Sequence, residues 1–245
     1  MSARTFFTRM NFYLIYAIEY LPLRIFYAFY DPNVTRKEKG EKMLSITAIG
    51  DSITAGMCSN SLCLASKDNF AAYLSEKLDA DLVNLSYPFA ISRDVRKQAE
   101  KAPESDIITV FVGANDAILG RDISEYRENL TKIIEIAKQK AKMVVVIGLP
   151  NFSFVKNAQS RRCKVTRSVL FPLALIVNDP DVEKRFEQFN SEIRRIAAEQ
   201  GVHFIDVHKI DFGDKELGKD CFHPGPLGQQ KIAEEVYKAM LGKKG

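Results

Sequence analysis

The sequence is poor in the residues that mark several common classes of protein. It has no tryptophan, only four cysteines and only three histidines, His203, His208 and His223. No C-x-x-C pair occurs and no histidine lies at metal-ligand spacing from a cysteine, which argues against a zinc site. A phosphate-binding loop is absent, as is a basic stripe with interleaved aromatic residues that would favour nucleic-acid binding. We therefore expect no metal, no cofactor and no nucleic-acid partner.

The composition is otherwise that of a globular domain. The chain has 245 residues, which suits one large α/β domain with a short appendage. Hydrophobic residues make up 46% and charged residues 27%, so disorder is not expected. The net charge of +4 is a mild excess spread along the chain, compatible with an anionic membrane surface without requiring one.

The four cysteines, Cys58, Cys63, Cys163 and Cys221, leave two interpretations open. An even count permits disulfides, and four cysteines permit three pairings. In the first interpretation all four are reduced. In the second, Cys58 and Cys63 form a small clip within a loop, which would indicate an oxidising compartment.

The first thirty residues are unusually apolar and aromatic. Residues 12–30 read FYLIYAIEYLPLRIFYAFY, with basic residues on both sides. The run is nearly long enough to span a membrane, but Glu19, Pro22 and Arg24 interrupt it and no good signal-peptide cleavage site follows. Aromatic residues flanked by basic ones are typical of a segment that lies in the membrane interface. We expect residues 1–30 to be a membrane-surface anchor; the alternatives are a spanning signal anchor and an arm packed on the protein or on a second subunit, forming a dimer.

This anchor defines the predicted domain organisation. A polar, charged linker covers residues 31–42, and the folded domain covers residues 43–245. An anchored protein would be membrane-associated, and the sequence leaves open whether it lies on the cytosolic or the exported side.

Short apolar runs alternate with helical patterns throughout the domain. The run DIITVFVG at 106–113 is apolar throughout, as expected for a parallel strand covered on both faces. Strand and helix alternate five times, which predicts a three-layer α/β/α sandwich around a parallel sheet. The predicted strands are 44–50, 81–86, 106–113, 143–150 and 202–207, and the predicted helices are 66–78, 91–102, 122–141, 179–200 and 226–240. We expect Ser66 or Asp68 to cap the first of these helices and Ser124 to cap the third.

Three segments at strand ends or on a late loop carry polar residues that we expect to form one site. The first, AIGDSITAG, directly follows the first strand. Gly50 permits a tight turn that leaves Ser52 at the strand's end, where its hydroxyl can act as a nucleophile and its backbone N–H can face an oxyanion. Asp51 would shape the site. Taken alone, G-D-S is more often a turn or a helix cap.

The second segment, VFVGANDA, follows the third strand. Asn115 offers a side-chain amide donor at the mouth of the sheet, which suits an oxyanion hole, and Gly113 would shape the turn that carries it. The alternative interpretation of G-x-N-D is a turn that bonds its own backbone.

The third segment, DCFHPGPLG, precedes the last helix. A serine hydroxyl needs a base to take its proton, and His223 is the candidate. Asp220 lies three residues earlier, a spacing that would let its carboxylate reach the far imidazole nitrogen. His203 and His208 lie in or just beyond the fifth strand and are expected to be structural.

In this order, the three segments resemble the GDSL/SGNH hydrolases, which carry G-D-S, G-x-N-D and D-x-x-H blocks. The resemblance covers about residues 44–240. It implies a flavodoxin-like α/β/α sandwich with about five parallel strands and a serine hydrolase that cleaves esters through an acyl-enzyme. By the same resemblance, Ser52 is the nucleophile, His223 the base and Asp220 its orienting acid, and Asn115 is an oxyanion donor. The G-x-S-x-G elbow of the larger α/β-hydrolase fold is absent around Ser52.

One segment departs from the family's pattern. Members usually carry a block like N-L-G-x-P-G-A-T-S, whose later glycine gives a backbone N–H to the oxyanion. This chain has NLSYPFAIS at 84–92, so Ser86 and Phe89 stand where glycines are expected. The backbone N–H of Phe89 can still complete the oxyanion hole, but phenylalanine is strained if the position requires a positive φ. Its ring would lie beside the nucleophile and shape the pocket.

A second, smaller resemblance concerns the cysteines. The stretch CLASKDNFAAYLSEKL, which begins at Cys63, resembles a subgroup of secreted GDSL esterases that have a cysteine before the first helix, usually in a disulfide. By this resemblance Cys63 pairs with Cys58, with Cys163 as the alternative partner.

Two features favour a lipid-like or medium-chain acyl ester as the substrate. Residues 12–30 would hold the enzyme at a bilayer, and SVLFPLALIVN at 168–178 would form a lid or acyl groove if exposed, or a core element if buried. The family also acts on thioesters and acetylated sugars, so an acyl thioesterase and a carbohydrate acetylesterase are the alternatives. A membrane-tethered binding protein of the same fold, without turnover, is the alternative from another class.

Overall fold

Strands and helices alternate through the described part of the chain. The computed structural model describes residues 34–35, 44–59, 64–152, 163–164, 179–210 and 212–241. The strands are β1 (Val34–Thr35), β2 (Ser45–Gly50), β3 (Asp81–Asn84), β4 (Ser105–Phe111), β5 (Ala141–Ile147) and β6 (His203–Ile205). The helices are α1 (Phe70–Leu78), α2 (Ser92–Lys101), α3 (Ala114–Leu119), α4 (Ile123–Lys140), α5 (Pro180–Glu199) and α6 (Pro226–Leu241).

The strands form one sheet in the order β1-β3-β2-β4-β5-β6. Strands β2 to β6 run parallel, and β1 pairs with β3 in the antiparallel direction. The chain leaves β2 in one direction to form β3, then crosses back past β2 to form β4. This reversal is the switch point of a doubly wound sheet, where the loops that follow the carboxyl ends of the strands form ligand sites. The predicted α/β fold with about five parallel strands is confirmed.

Two helical layers cover the parallel strands. In β4, all residues from Ile107 to Phe111 are buried, and the last four residues of β5 are buried as well. Helix α1 packs against α6, while α4 packs against α2 and α5. The continuous apolar runs of the central strands therefore reflect coverage on both faces, as a parallel sheet requires.

The first turns of two helices differ from the prediction. Helix α1 is capped by Asn69, whose side chain accepts the N–H of Ala72, and not by Ser66 or Asp68. Helix α4 is capped by Asp122 and not by Ser124. Serine, aspartate and asparagine are nearly equivalent as N-caps, so residue type alone does not choose between neighbouring candidates.

Two elements go beyond the predicted set. Helix α3 is a single short helix directly after β4, and β1 brings part of the predicted linker into the sheet. The predicted anchor at 1–30 and the predicted lid or groove at 168–178 lie outside the described residues. Within the described ranges, the structure contains no helix of the length and apolarity that a membrane span requires.

Candidate active site

Ser52 lies in the turn that directly follows β2. Gly50 lets this turn approach β4, because a Cβ at position 50 would lie 2.6 Å from the carbonyl oxygen of Phe111. The side chain of Gln98 accepts the N–H of Gly50 at 2.8 Å and donates to its carbonyl at 2.9 Å. Gln98 thus holds both the N–H and the carbonyl of Gly50, the last residue of β2, two positions before Ser52.

Asp220 and His223 lie on the turn that the bridge between Leu217 and Pro224 closes. Oδ2 of Asp220 lies 2.5 Å from Nδ1 of His223, and Nε2 of His223 lies 2.9 Å from Oγ of Ser52. An ionised carboxylate can only accept hydrogen bonds, so we assign the ring proton to Nδ1. Nε2 is then the acceptor for the hydroxyl of Ser52, as a general base must be.

Asp220 also stabilises the turn on which it lies. Its Oδ1 accepts the backbone N–H groups of Phe222 at 3.1 Å and His223 at 3.0 Å. Burial acts to raise the pKa of Asp220, but the electrostatic interaction with His223 and the hydrogen bonds from His223 and Phe222 outweigh it and lower this pKa from its ordinary value of 3.8. Asp220 is therefore ionised near neutral pH, the state in which it orients the imidazole.

Asn115 lies in the first turn of α3, beside Ser52. Its Nδ2 donates to the carbonyl of Ala90 at 3.0 Å, and the residue lines the pocket that contains Ser52. An amide nitrogen carries two hydrogens, so one remains for a ligand. Gly113 precedes the helix at φ 129°, and a Cβ there would lie 2.8 Å from the hydroxyl oxygen of Tyr126. Glycine at this position lets the loop that carries Asn115 pack closely.

Phe89 has a φ of 64°, in the left-handed region that favours glycine. The backbone therefore keeps the glycine conformation at the position where the family pattern has a glycine. A non-glycine residue in this conformation costs about 1–2 kcal/mol. The described residues that line the pocket beside Ser52 do not include Phe89, so its ring is not placed in that pocket.

Two further carboxyl groups are buried around this site. Oδ1 of Asp51 accepts the N–H of Ile53 at 3.0 Å, whereas its Oδ2 has no hydrogen-bond partner in the described part of the protein. Burial raises the pKa of Asp51 to about 7 and that of Asp116 to about 6. Asp116 accepts the N–H of Ser92 at 2.9 Å and its hydroxyl at 2.7 Å. Asp116 thereby joins α3 to the start of α2.

An apolar pocket adjoins Ser52, and among the described residues that line it only Asn115 and His223 are also polar. Three phenylalanine rings dominate it: that of Phe152 lies 4.8 Å from Phe186 and 6.1 Å from Phe222 between centroids. The rings leave an open volume of about 20 Å³, little more than one water molecule needs. The apolar lining residues are Ile53, Ala114, Ile118, Pro150, Phe152, Phe186 and Phe222.

The three cysteines in the described part of the chain are oxidised. Cys163 and Cys221 form a disulfide with a Cα–Cα distance of 5.4 Å, and Cys58 is disulfide-bonded as well. The interpretation with four reduced cysteines is therefore wrong, and so is the alternative pairing of Cys63 with Cys163. Cys63, the predicted partner of Cys58, lies outside the described residues. The Cys163–Cys221 bond joins residues 58 positions apart, and no local spacing in the sequence predicts such a pair.

Ligand atoms of Cys58, Asp220 and His223 lie within 4.8 Å of one another. Cys58 offers no thiolate because it is disulfide-bonded, and the two ring nitrogens of His223 are engaged by Asp220 and Ser52. We therefore assign no metal to this cluster.

A groove of about 660 Å³ lies between α1 and α6, away from Ser52. Four of the five charged residues described in its lining are paired, Lys77 with Glu234 at 2.7 Å and Lys231 with Glu216 at 2.9 Å. The described residues that line it include no serine, cysteine or histidine, so it offers none of the groups of a hydrolytic site.

The chain is similar to known hydrolases over most of its length. Residues 48–231 match the GDSL-like lipase/acylhydrolase family, which is well over half of the chain. No curated protein matches the chain significantly.

Several solved structures share the fold. A lipase/acylhydrolase from Enterococcus faecalis is 22% identical with a TM-score of 0.60, over 82% of this chain and 97% of that one. The psychrotrophic esterase EstA from Pseudoalteromonas sp. is 18% identical with a TM-score of 0.57, over 81% and 97%. The acetylxylan esterase Axe2 from Geobacillus stearothermophilus is 17% identical with a TM-score of 0.57, over 80% and 94%. At these identities the likeness shows the fold.

Proposed function

Because the chain belongs to the GDSL-like lipase/acylhydrolase family, we propose that it is a carboxylic ester hydrolase that forms an acyl-enzyme on Ser52. The observation that carries this proposal is the hydrogen-bonded series from Ser52 through His223 to Asp220, with distances of 2.9 Å and 2.5 Å. This series supplies a nucleophile, a base and an orienting carboxylate in one connected arrangement.

In the acylation step, Nε2 of His223 takes the hydroxyl proton as Oγ of Ser52 attacks the ester carbonyl carbon. The oxyanion accepts hydrogen bonds from the second amide hydrogen of Asn115 and from the backbone N–H of Ser52. A third donor at the backbone of Phe89 stays a prediction from the family pattern. The bond to the alcohol then breaks, and His223 returns the proton to the leaving oxygen. Asp220 stabilises the imidazolium throughout this step.

Deacylation repeats the same chemistry with water as the nucleophile. His223 takes a proton from water, the hydroxide attacks the acyl carbon, and the same N–H groups bind the oxyanion. The bond to Oγ of Ser52 breaks and His223 returns the proton to it. The products are a carboxylic acid and the regenerated enzyme.

The pocket beside Ser52 favours an apolar acyl group. Its described lining residues are aliphatic and aromatic apart from Ser52, Asn115 and His223, which are the groups that the proposed reaction uses. An apolar acyl chain would replace water against these rings, at about 25 cal/mol for each Å² of apolar surface buried. We therefore propose a lipid-like or medium-chain ester, with displacement of the rings of Phe152, Phe186 and Phe222 on binding.

A small acyl group, such as the acetyl group of an acetylated sugar, is the second candidate. The observation in its favour is the open volume of only about 20 Å³ beside Ser52. An acetyl group would enter this volume with a smaller displacement of the lining side chains than a longer acyl chain would require. An acyl thioesterase would use the same acyl site. It differs from the other candidates in its leaving group, which is a thiol and not an alcohol.

Hydrolysis of a p-nitrophenyl ester series, from acetate to palmitate, tests the proposal. Wild-type protein should hydrolyse at least one ester, and Ser52→Ala should lose this activity. A maximum at intermediate chain length supports the lipid-like substrate, whereas a maximum at acetate supports the second candidate. No hydrolysis of any ester by the wild type would count against the enzyme and in favour of a binding protein of the same fold.

We also propose that residues 12–30 attach the protein to a membrane surface on the exported side. The disulfides at Cys58 and Cys163–Cys221 support an oxidising compartment. Val34 pairs with Val83 and Thr35 with Leu82, so β1 enters from the carboxyl edge of the sheet, the edge at which Ser52 lies. Co-flotation of the full chain with anionic vesicles tests the attachment, and failure to float would contradict it.

A further inference from the structure

The turn that carries Asp220 and His223 contains a residue in an unfavourable backbone conformation. Cys221 has a φ of 55°, one of four non-glycine residues with positive φ in the described ranges. It lies directly between Asp220 and Phe222, within the turn whose two ends supply the carboxylate and the imidazole. The left-handed conformation reverses the chain there, which lets Oδ2 of Asp220 approach Nδ1 of His223.

Several hydrogen bonds hold this turn besides those of Asp220, among them that from the N–H of Gly225 to the carbonyl of Glu216 at 2.7 Å and that from the hydroxyl of Ser59 to the carbonyl of Pro224 at 3.2 Å. The N–H of Cys221 donates to the carbonyl of Gly218 at 3.1 Å, and the N–H of Gly218 donates to the carbonyl of His223 at 2.8 Å. The N–H of Lys219 reaches the carbonyl of Cys58 at 3.3 Å. A cysteine in the left-handed region persists only when its surroundings over-determine it. The strongest constraint available is the covalent bond from Cys221 to Cys163, both fully buried.

From this geometry we propose that the Cys163–Cys221 disulfide positions the catalytic turn, holding residue 221 in the left-handed conformation that brings Asp220 and His223 together. The inference rests on the proposed function, because it assigns these cysteines a role in the same ester hydrolysis. Cys163 and Cys221 are positioning residues, since they act through Asp220 and His223 and touch no reacting atom.

Two substitutions at position 221 distinguish the effect of the covalent bond from the effect of the backbone conformation that the bond holds. Serine at 221 removes the bond and keeps the steric preference for negative φ, so the turn should relax away from the working geometry. Glycine at 221 also removes the bond, but adopts positive φ without a steric penalty. Cys221→Gly should therefore recover much of the kcat that Cys221→Ser loses, although neither variant has the disulfide.

The test compares wild type with two double variants, Cys163→Ser/Cys221→Ser and Cys163→Ser/Cys221→Gly. The serine pair should lose about 10- to 100-fold in kcat with little change in KM, the order expected when catalytic groups are displaced by about 1 Å. The glycine pair should regain kcat to within a few-fold of wild type. Asp79→Gly is the matched control: Asp79 has a φ of 49° at the end of α1, and its replacement should leave kcat unchanged.

Several results would overturn the inference. These are wild-type kcat in the serine pair, or a folded glycine pair that is no more active than the serine pair. If the serine pair fails to fold, the glycine pair decides alone, and a folded but inactive glycine pair overturns the inference. Failure of both pairs to fold also overturns it, because the bond would then serve the whole fold. An inactive wild type contradicts the proposed function instead.

Discussion

Asn115 has one amide hydrogen bonded to the carbonyl of Ala90 and a second that remains for a ligand. If that second hydrogen binds the oxyanion, Asn115→Ala should lower kcat by about 10²–10³-fold and change KM much less, because the contact forms mainly in the transition state. Steady-state kinetics on the best ester measures this. Asn129→Ala is the matched control: Asn129 is equally buried, donates to Ser92 and does not line the pocket. Equal losses in the two variants would contradict the assigned role.

Phe89 allows a test of the backbone conformation apart from its ring. Phe89→Gly and Phe89→Ala both remove the ring, but only glycine is free of the steric cost at φ 64°. The glycine variant should therefore be more stable than the alanine variant by about 1 kcal/mol in free energy of unfolding. Urea denaturation of the two variants measures the difference. An alanine variant of equal or greater stability would mean that position 89 does not require the left-handed conformation.

Asp51 should make the stability of the protein depend on pH. Its pKa is raised from 3.8 to about 7, chiefly by burial, so the folded protein holds this proton more tightly than the unfolded chain does. The resulting stability is fully present below pH 3.8 and is lost as the pH rises through about 7. Asp51→Asn cannot ionise, so its Tm relative to wild type should rise between about pH 4.5 and about pH 8. A Tm difference that is the same at both pH values would contradict the raised pKa.

At the residue level, the sequence motifs identify the polar groups of the site but not its apolar wall. The polar residues lie in short segments whose composition and order resemble the motifs of the family. These residues are Ser52, Asn115, Asp220 and His223. Phe152 and Phe186 lie in separate parts of the chain, and only the packing of α5 beside the end of β5 brings their rings together. Phe222 could have been suspected from its place within D-x-x-H, since it must lie next to the base.

At the level of elements, we expect the turn that carries Asp220 and His223 to contribute to substrate choice as well as to catalysis. The ring of Phe222 contacts that of His223 edge-on at 5.1 Å and lines the pocket. Phe222→Ala should enlarge the pocket and raise the ratio of kcat/KM for octanoate to that for acetate by about tenfold. Phe204→Ala is the control, because Phe204 is also half-buried and does not line the pocket. An unchanged ratio would show that the acyl chain binds elsewhere.

The regular elements follow from periodicity, whereas their ends and the shortest element do not. The five parallel strands are apolar runs between helical patterns, and each predicted strand overlaps an observed one. Helix α3 has only six residues, too few for a helical period to be recognised beside β4. Strand β1 has two residues, and its place beside β3 depends on tertiary pairing that no local pattern encodes.

At the scale of the whole molecule, the sheet topology explains why distant segments meet. Strands β2 and β4 are neighbours at the point where the chain reverses its direction across the sheet, so the loops after them, with Ser52 and Asn115, lie side by side. The turn with Asp220 and His223 then reaches Ser52 across 171 positions of sequence. The order of the motifs along the chain therefore does not predict by itself that these residues meet. The predicted fold is needed as well, because it places the strand ends side by side.

The nucleophilic role of Ser52 is tested most directly by the mass of the protein after reaction with an alkyl fluorophosphonate, which phosphonylates an activated serine. We expect one phosphonyl group per chain, located on Ser52 by peptide mapping, and none on Ser52→Ala. His223→Ala should react far more slowly, because the serine would lack its base. A wild-type protein that remains unlabelled, or one labelled at another residue, would contradict the claim that Ser52 is the nucleophile.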